Sequence, residues 1–182
     1  MDRKEFIKKT CQLGMGSGAV LLMDICNTCG AESATQSSQE DSDRRLKFAQ
    51  NWIENLINNM DAQLDEETRI NLMEACGRAC AQRSINEAKA CQGDLDKFLT
   101  KMKEWLGEEY VRKEGNVVFV VYSKCLCTLV QAGPPKLSDT YCLCSRGWLK
   151  EMFETVIEKP VDVDLTESIK RGGKACRLTI IL

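Results

Sequence analysis

A chain of 182 residues with eleven cysteines and no histidine can build a transition-metal site only from thiolate, supported at most by carboxylate. Soft all-sulfur ligation suits Zn²⁺ or an iron–sulfur cluster. The same composition excludes Ser–His and Cys–His nucleophiles and histidine-ligated zinc hydrolases. In the second half the cysteines are spaced Cys125-Leu126-Cys127, Cys142-Leu143-Cys144 and a lone Cys176. As ligands, redox groups or nucleophiles, they are where chemistry is to be sought.

The first residues read as an export signal spanning 1–31. A basic head, Arg3-Lys4-Glu5-Phe6-Ile7-Lys8, precedes a mildly apolar run from Leu13 to Ile25 that contains Gly14, Gly16 and Gly18. The head resembles the twin-arginine translocation motif with lysine in place of the second arginine. Asp24 interrupts the run, which falls short of the roughly 20 apolar residues of a membrane span. The mature chain is therefore expected in the periplasm or otherwise outside the cytoplasm. Lipid attachment at Cys26 or Cys29 would hold it at a membrane. Cleavage after Ala31 would leave eight cysteines and a net charge of −3, from 21 Lys and Arg against 24 Asp and Glu. No basic stripe interleaved with aromatics is present, so nucleic acid is not an expected partner. Residues 32–43 are polar and poor in apolar side chains, the composition of a disordered linker. The rest, 44–182, is the size of one domain with its own core. Such a domain folds without disulfides, so eight cysteines exceed what stability asks for.

From Arg44 to Gly107 the apolar period is helical. Leu46, Ala49, Ile53, Leu56, Ile57 and Met60 form one stripe. Asp65 caps a second helix from Glu66 to about Arg83, with Ile70, Met73, Cys76, Gly77 and Cys80 on one side. A short segment, Ile85 to Cys91, leads to Asp94, which caps a helix ended by Gly107. The period then changes. Glu109–Arg112 and Val117–Cys127 read as strands joined by Glu114-Gly115-Asn116. After the loop at Gly133-Pro134-Pro135, Ser145 caps a helix from Arg146 to Ile157. Val161–Leu165 and Ala175–Leu182 follow as strands. Helices followed by an antiparallel sheet with one inserted helix make an α+β domain.

The stretch Tyr141-Cys142-x-Cys144-Ser145-x-Gly147, then a helix, Lys159-Pro160-Val161-x-Val163, Glu167-Ser168-Ile169-x-x-Gly172 and Cys176-Arg177-x-x-Ile180 resembles the C-terminal half of 4-vinyl-reductase-type domains. These are small hydrocarbon-binding domains that also serve as effector-sensing modules of aromatic-responsive activators. The chain is also similar to L-2-amino-thiazoline-4-carboxylic acid hydrolase-like proteins and to exported cysteine-rich families. The resemblance implies N-terminal helices on a four-stranded sheet, with a pocket between them for a small apolar or aromatic molecule. It further implies a zinc ligand eight residues before Cys176. Here that position is Ser168, so the Cys-x-Cys pairs would have to supply the missing sulfur.

In an extended strand Cys125 and Cys127 would face the same way. Cys142 and Cys144 stand just before the expected helix N-terminus, where the dipole and free N–H groups favour thiolate. With Cys176 these five form the candidate metal site, for Zn²⁺ or alternatively an iron–sulfur cluster. Disulfides and buried free thiols are the other readings of the same set. Cys76 and Cys80, one helical turn apart, with Cys91 nearby in sequence, form a possible second thiol group. Small residues on that face equally suit close helix packing. Trp52, Trp105 and Trp148 are expected in the core or a pocket lining, Arg146 and Arg177 as solvated arginines, and Glu151 and Glu154 on a charged outer face. Two function classes follow. One is a metal-stabilised module that binds a small molecule, with a homodimer left open. The other is an enzyme, a cysteine-dependent hydrolase or thiol redox protein, disfavoured because no base is paired with any cysteine.

Overall fold

A computed structural model describes residues 29–131 and 138–182. The export-signal head and the Gly133-Pro134-Pro135 loop lie outside the described residues. One compact unit runs from Asp43 to Leu182. Its helices are α1 (Cys29–Gln63, which begins before the unit), α2 (Glu66–Ala81), α3 (Ile85–Lys89), α4 (Leu95–Leu106), α5 (Thr128–Gln131), α6 (Asp139–Cys142) and α7 (Cys144–Ile157). The strands are β1 (Val111–Glu114), β2 (Val117–Tyr122), β3 (Asp162–Glu167) and β4 (Cys176–Ile181). Residues 32–43, expected as a structureless linker, are helical within α1. They hold no proline, and Ala, Gln and Glu extend the helix of the apolar stripe that follows.

The domain is α+β. Its strands form a four-stranded sheet of order β1-β2-β4-β3, with every neighbouring pair antiparallel. One face is buried by alternation: Val118 and Val120, Val163 and Leu165, Leu178 and Ile180 point inward. Helix α7 supplies Leu149, Met152, Phe153 and Val156 to this core, and α4 supplies Phe98, Leu99 and Met102. Phe98 and Phe153 meet edge to face with ring centroids 5.3 Å apart. Helix α7 stops where Glu158 takes a left-handed conformation (φ 57°) shortly before Pro160.

Two of the boundaries that differ from the sequence expectation bear on the cysteines. Strand β2 stops at Tyr122, short of Cys125 and Cys127. Tyr122 pairs with Cys176, the first residue of β4, so nothing remains to continue the ladder. Helix α7 starts at Cys144, with Leu143 as its cap residue and no side-chain capping bond, and Ser145 falls inside the first turn. At the same end of the sheet, beside the last residues of β2, the edge strand β1 begins at Val111 opposite Val120, because Glu108–Tyr110 form a 3₁₀ turn after Gly107 (φ 115°).

Helices α2 and α7 come together through a reciprocal glycine contact. A Cβ added at Gly77 would lie 1.9 Å from the Cys144 carbonyl oxygen, and one at Gly147 would lie 1.9 Å from the Glu74 carbonyl oxygen. Each glycine admits the other helix's backbone. Charged groups close the flanks of this contact. Glu74 takes Lys150 at 2.8 Å and stands 3.1 Å from Arg146 Nε. Arg78 donates to Glu154 at 2.6 and 3.0 Å and to Glu151 at 2.9 Å. These bonds hold the Arg78 guanidinium firmly protonated, with Glu154 the stronger partner. Glu151 and Glu154 are thus partners of another helix and not a solvated face. Replacing Gly77 by Ala should cost about 3 kcal/mol or more, because backbone has to move. Urea denaturation of the reduced protein measures this, and an unchanged midpoint would show that the helices part without cost.

Candidate functional site: a cluster of thiols

The five expected ligands arrive from four segments at one end of the domain. Cys125 and Cys127 lie in the irregular stretch after β2, Cys142 ends α6, Cys144 begins α7, and Cys176 begins β4. Cys125, Cys127 and Cys144 pack against a small satellite core of Ile57, Met73, Val130 and Tyr141, and Cys142 and Cys176 against the edge of the main core. Cys127 Sγ lies 3.2 Å from Tyr141 Oη, and Cys142 Sγ lies 3.0 Å from Ser168 Oγ. Ser168, at the position where the family resemblance implies a zinc ligand, is fully buried beside a thiol of the cluster.

The second thiol group divides. Cys91 is buried in the main core among Phe98, Ala88 and their neighbours. Cys76 and Cys80 are exposed on α2. They flank Gly77, so the glycine contact sets them beside Cys144, within range of its charge. The eight cysteines from Cys76 to Cys176 are free thiols. Among the described residues, no three cysteine, aspartate or glutamate side chains surround a common point as a metal would require. The donor set is all sulfur, and its five members are half-buried, so any metal it held would be a soft one.

Burial decides the protonation of these thiols. Cys144, pushed up from 9.0 to about 12, is raised first by burial and then by the charges of Cys127, Cys142, Cys80 and Cys76. Its place in the first turn of α7 does not make it a thiolate, contrary to the expectation from the helix dipole. Burial likewise raises Cys142, with Ser168 partly offsetting and Cys176 and Cys125 reinforcing. Cys125 is raised by burial against a hydrogen bond from the Cys127 backbone N–H, with the charges of Cys127 and Cys176 adding to the rise. The Tyr141 hydroxyl is also raised, by burial and by its bond to Cys127. Lys170 and Arg171 act in the other direction on Cys125 and Cys142 respectively, too weakly to reverse either.

A cavity of about 600 Å³ adjoins the cluster through Thr140, Leu143, Arg146 and Arg171. Arg69, Asp61, Glu66, Ser138 and Asp164 also line it, and the apolar share is Ile70, Leu143 and Leu165. Burial tends to raise Asp61, but bonds from Ser138, Thr140 and Arg69 outweigh it and hold the carboxyl below its ordinary value. Arg146, expected in solvent, is paired with Glu74 and only 22% exposed. Arg177 is exposed and pairs with Glu167 at 2.7 Å. Of the tryptophans, Trp148 packs on the core and Trp105 meets the core residue Phe98 edge to face at 6.4 Å. Trp52 is 59% and Trp105 44% exposed. Arg69 and Asp61 were not legible as site residues, since nothing local ties α1 or α2 to Thr140.

The thiols carry a stability consequence. In the metal-free reduced protein, Cys144 keeps its proton up to about pH 12, while the unfolded thiol ionises near 9.0. Below pH 9 both states are protonated and the contribution is complete. As pH rises from 9 toward 12, only the unfolded state gains by ionising, so stability falls by about 1.4 kcal/mol per pH unit for this thiol. Urea midpoints across that window should fall steadily, and fall less in Cys144→Ala. A flat profile would mean that the thiols are solvated.

No helix among the described residues is long and apolar enough to cross a membrane. No curated protein matches the chain. Its sequence matches DUF6144, a family of unknown function, over residues 11–182, and the chain belongs to that family.

Proposed function

We propose that the protein is an exported metal-binding module. Its thiol cluster holds Zn²⁺ or, alternatively, an iron–sulfur cluster, and the adjoining cavity receives a small molecule. The observation that carries this reading is the convergence of Cys125, Cys127, Cys142, Cys144 and Cys176 from segments far apart in sequence. Neutral thiols gathered without disulfides gain little from one another. A cation would reward every ionisation that burial now penalises. Ser168, where the 4-vinyl-reductase resemblance implies a ligand, stands beside Cys142 but supplies no sulfur, so the Cys-x-Cys pairs would have to complete the site. The charged cavity lining favours a polar small molecule over the apolar or aromatic one that the resemblance suggests. Export rests on the Arg3-Lys4-Glu5-Phe6-Ile7-Lys8 head. A route that carries folded proteins would deliver the module with its metal in place.

The enzyme reading, a cysteine-dependent hydrolase or thiol redox protein, is weaker. A nucleophile has to be a thiolate near neutral pH, and Cys144 sits at about 12 with no histidine to take its proton.

Elemental analysis with a free-thiol count on protein purified under reducing conditions tests the proposal. Bound metal is expected, with loss of metal in Cys144→Ser and Cys176→Ser. Because a structural zinc site supplies on the order of 10 kcal/mol, those variants should also lose most of their stability. Cys91→Ala should keep its metal, since that residue lies in the main core. Ser168→Cys should bind metal more tightly. Metal-free protein with all its thiols oxidised to disulfides would overturn the reading.

A further inference from the structure

Two of the arginines that border the cavity of about 600 Å³ keep donors that the protein itself does not satisfy. A guanidinium carries five donors, and one withdrawn from water is ordinarily met by acceptors. Arg69, on α2, donates from Nη1 to Asp61 at 2.9 Å, yet its Nε is covered and has no hydrogen-bond partner. Arg146, in the first turn of α7, has a covered Nε as well. It stands 3.1 Å from Glu74 Oε1, but neither atom makes a hydrogen bond. The third arginine, Arg171, comes from the 3₁₀ turn Ile169–Arg171. Helix α7 adds partial positive charge at the same place: its cap residue Leu143 borders the cavity, and its first turn carries no acidic residue.

The composition of the lining selects the ligand. Asp61, Glu66 and Asp164 balance the three arginines in number. Asp61 is already committed, accepting from Arg69, Ser138 and Thr140. Glu66 and Asp164 are exposed carboxylates that would repel an anion, and a dianion such as inorganic phosphate more strongly than a monoanion. The planar guanidinium fork matches a carboxylate through two parallel N–H···O bonds. Ile70, Leu143 and Leu165 provide an apolar wall. We infer that the cavity binds a small monocarboxylate. Arg69 and Arg146 take its head, Arg171 adds charge, and its short apolar body lies against Ile70, Leu143 and Leu165. Because both Nε atoms are covered, the two side chains have to turn toward the ligand to present them. The inference rests on the reading of this cavity as a small-molecule site and names the class of molecule. It does not need a metal in the thiol cluster.

The test is an NMR titration of the full chain under reducing conditions, its metal content measured beforehand, with butyrate, its neutral isostere butyramide and inorganic phosphate. A ligand this small should bind at about millimolar concentration, and butyramide and phosphate should bind about tenfold more weakly or not at all. Arg69→Lys keeps the charge and loses the fork, so it should weaken butyrate about tenfold. The Glu66→Gln/Asp164→Asn double variant should tighten butyrate by up to about fivefold, the scale of an exposed charge interaction. Such a gain cannot come from misfolding, and circular dichroism checks the fold of Arg69→Lys. No butyrate binding, equal binding of butyramide, or unchanged affinity in folded Arg69→Lys would overturn the inference. Phosphate binding more tightly than butyrate would overturn it too. Butyrate binding by protein purified without metal would support this inference and count against the metal reading, and metal-bearing protein with no butyrate site would do the reverse.

Discussion

The backbone contact between α2 and α7 is the constraint on which the rest depends. Two helices cannot approach to this distance with a side chain in between, and Gly77 and Gly147 remove it from both sides. The contact lies where α7 begins, so it fixes Cys144 against α2. From there α7 runs on to carry Leu149, Met152, Phe153 and Val156 onto the sheet. Site and core therefore share one helix. Glu74 with Arg146 and Lys150, and Arg78 with Glu151 and Glu154, join the same two helices on either side of the glycines. Partly buried charges of this kind are costly alone and tolerable in pairs, so they favour one register of the two helices over its neighbours.

The thiol end is governed by a balance between burial and charge. Burial is the larger effect on Cys125, Cys142 and Cys144, and each added thiolate makes the next harder to form. Lys170 and Arg171 offset only part of this. A thiol held in such a place is a poor nucleophile, and a divalent ion at contact distance would supply the missing positive charge. That reasoning separates the metal-binding and enzymatic readings more sharply than the spacing of the cysteines does.

Much of the architecture was legible from local signals. Asp65 and Asp94 cap α2 and α4 through their side chains, Gly107 ends α4, and alternation marks the buried face of β3. The charge partners were not legible. Arg78 and Glu154 are far apart in the chain, and so are Asp61 and Thr140, and no periodicity links such residues. Trp52 was misplaced for a related reason. Its helix has an apolar stripe, but only Ile53, Ile57 and Met60 meet the satellite core, while Trp52 and Leu56 face solvent.

The sequence by itself determined the chemistry: a chain with many cysteines and no histidine can offer only sulfur and carboxylate to a metal, however it folds. It also determined the class of fold, since helical period followed by strand period is a local property of the chain. Only the tertiary structure decided which sulfurs meet. Cys91 is closer in sequence to Cys76 and Cys80 than Cys144 is, yet it packs into the core, and the glycine contact brings Cys144 to them instead. The strand that should have aligned Cys125 and Cys127 ends because β4 begins at Cys176 and leaves no partner beyond Tyr122. Where a ladder ends and which helices touch depend on residues distant in the chain, and a local pattern carries no record of them.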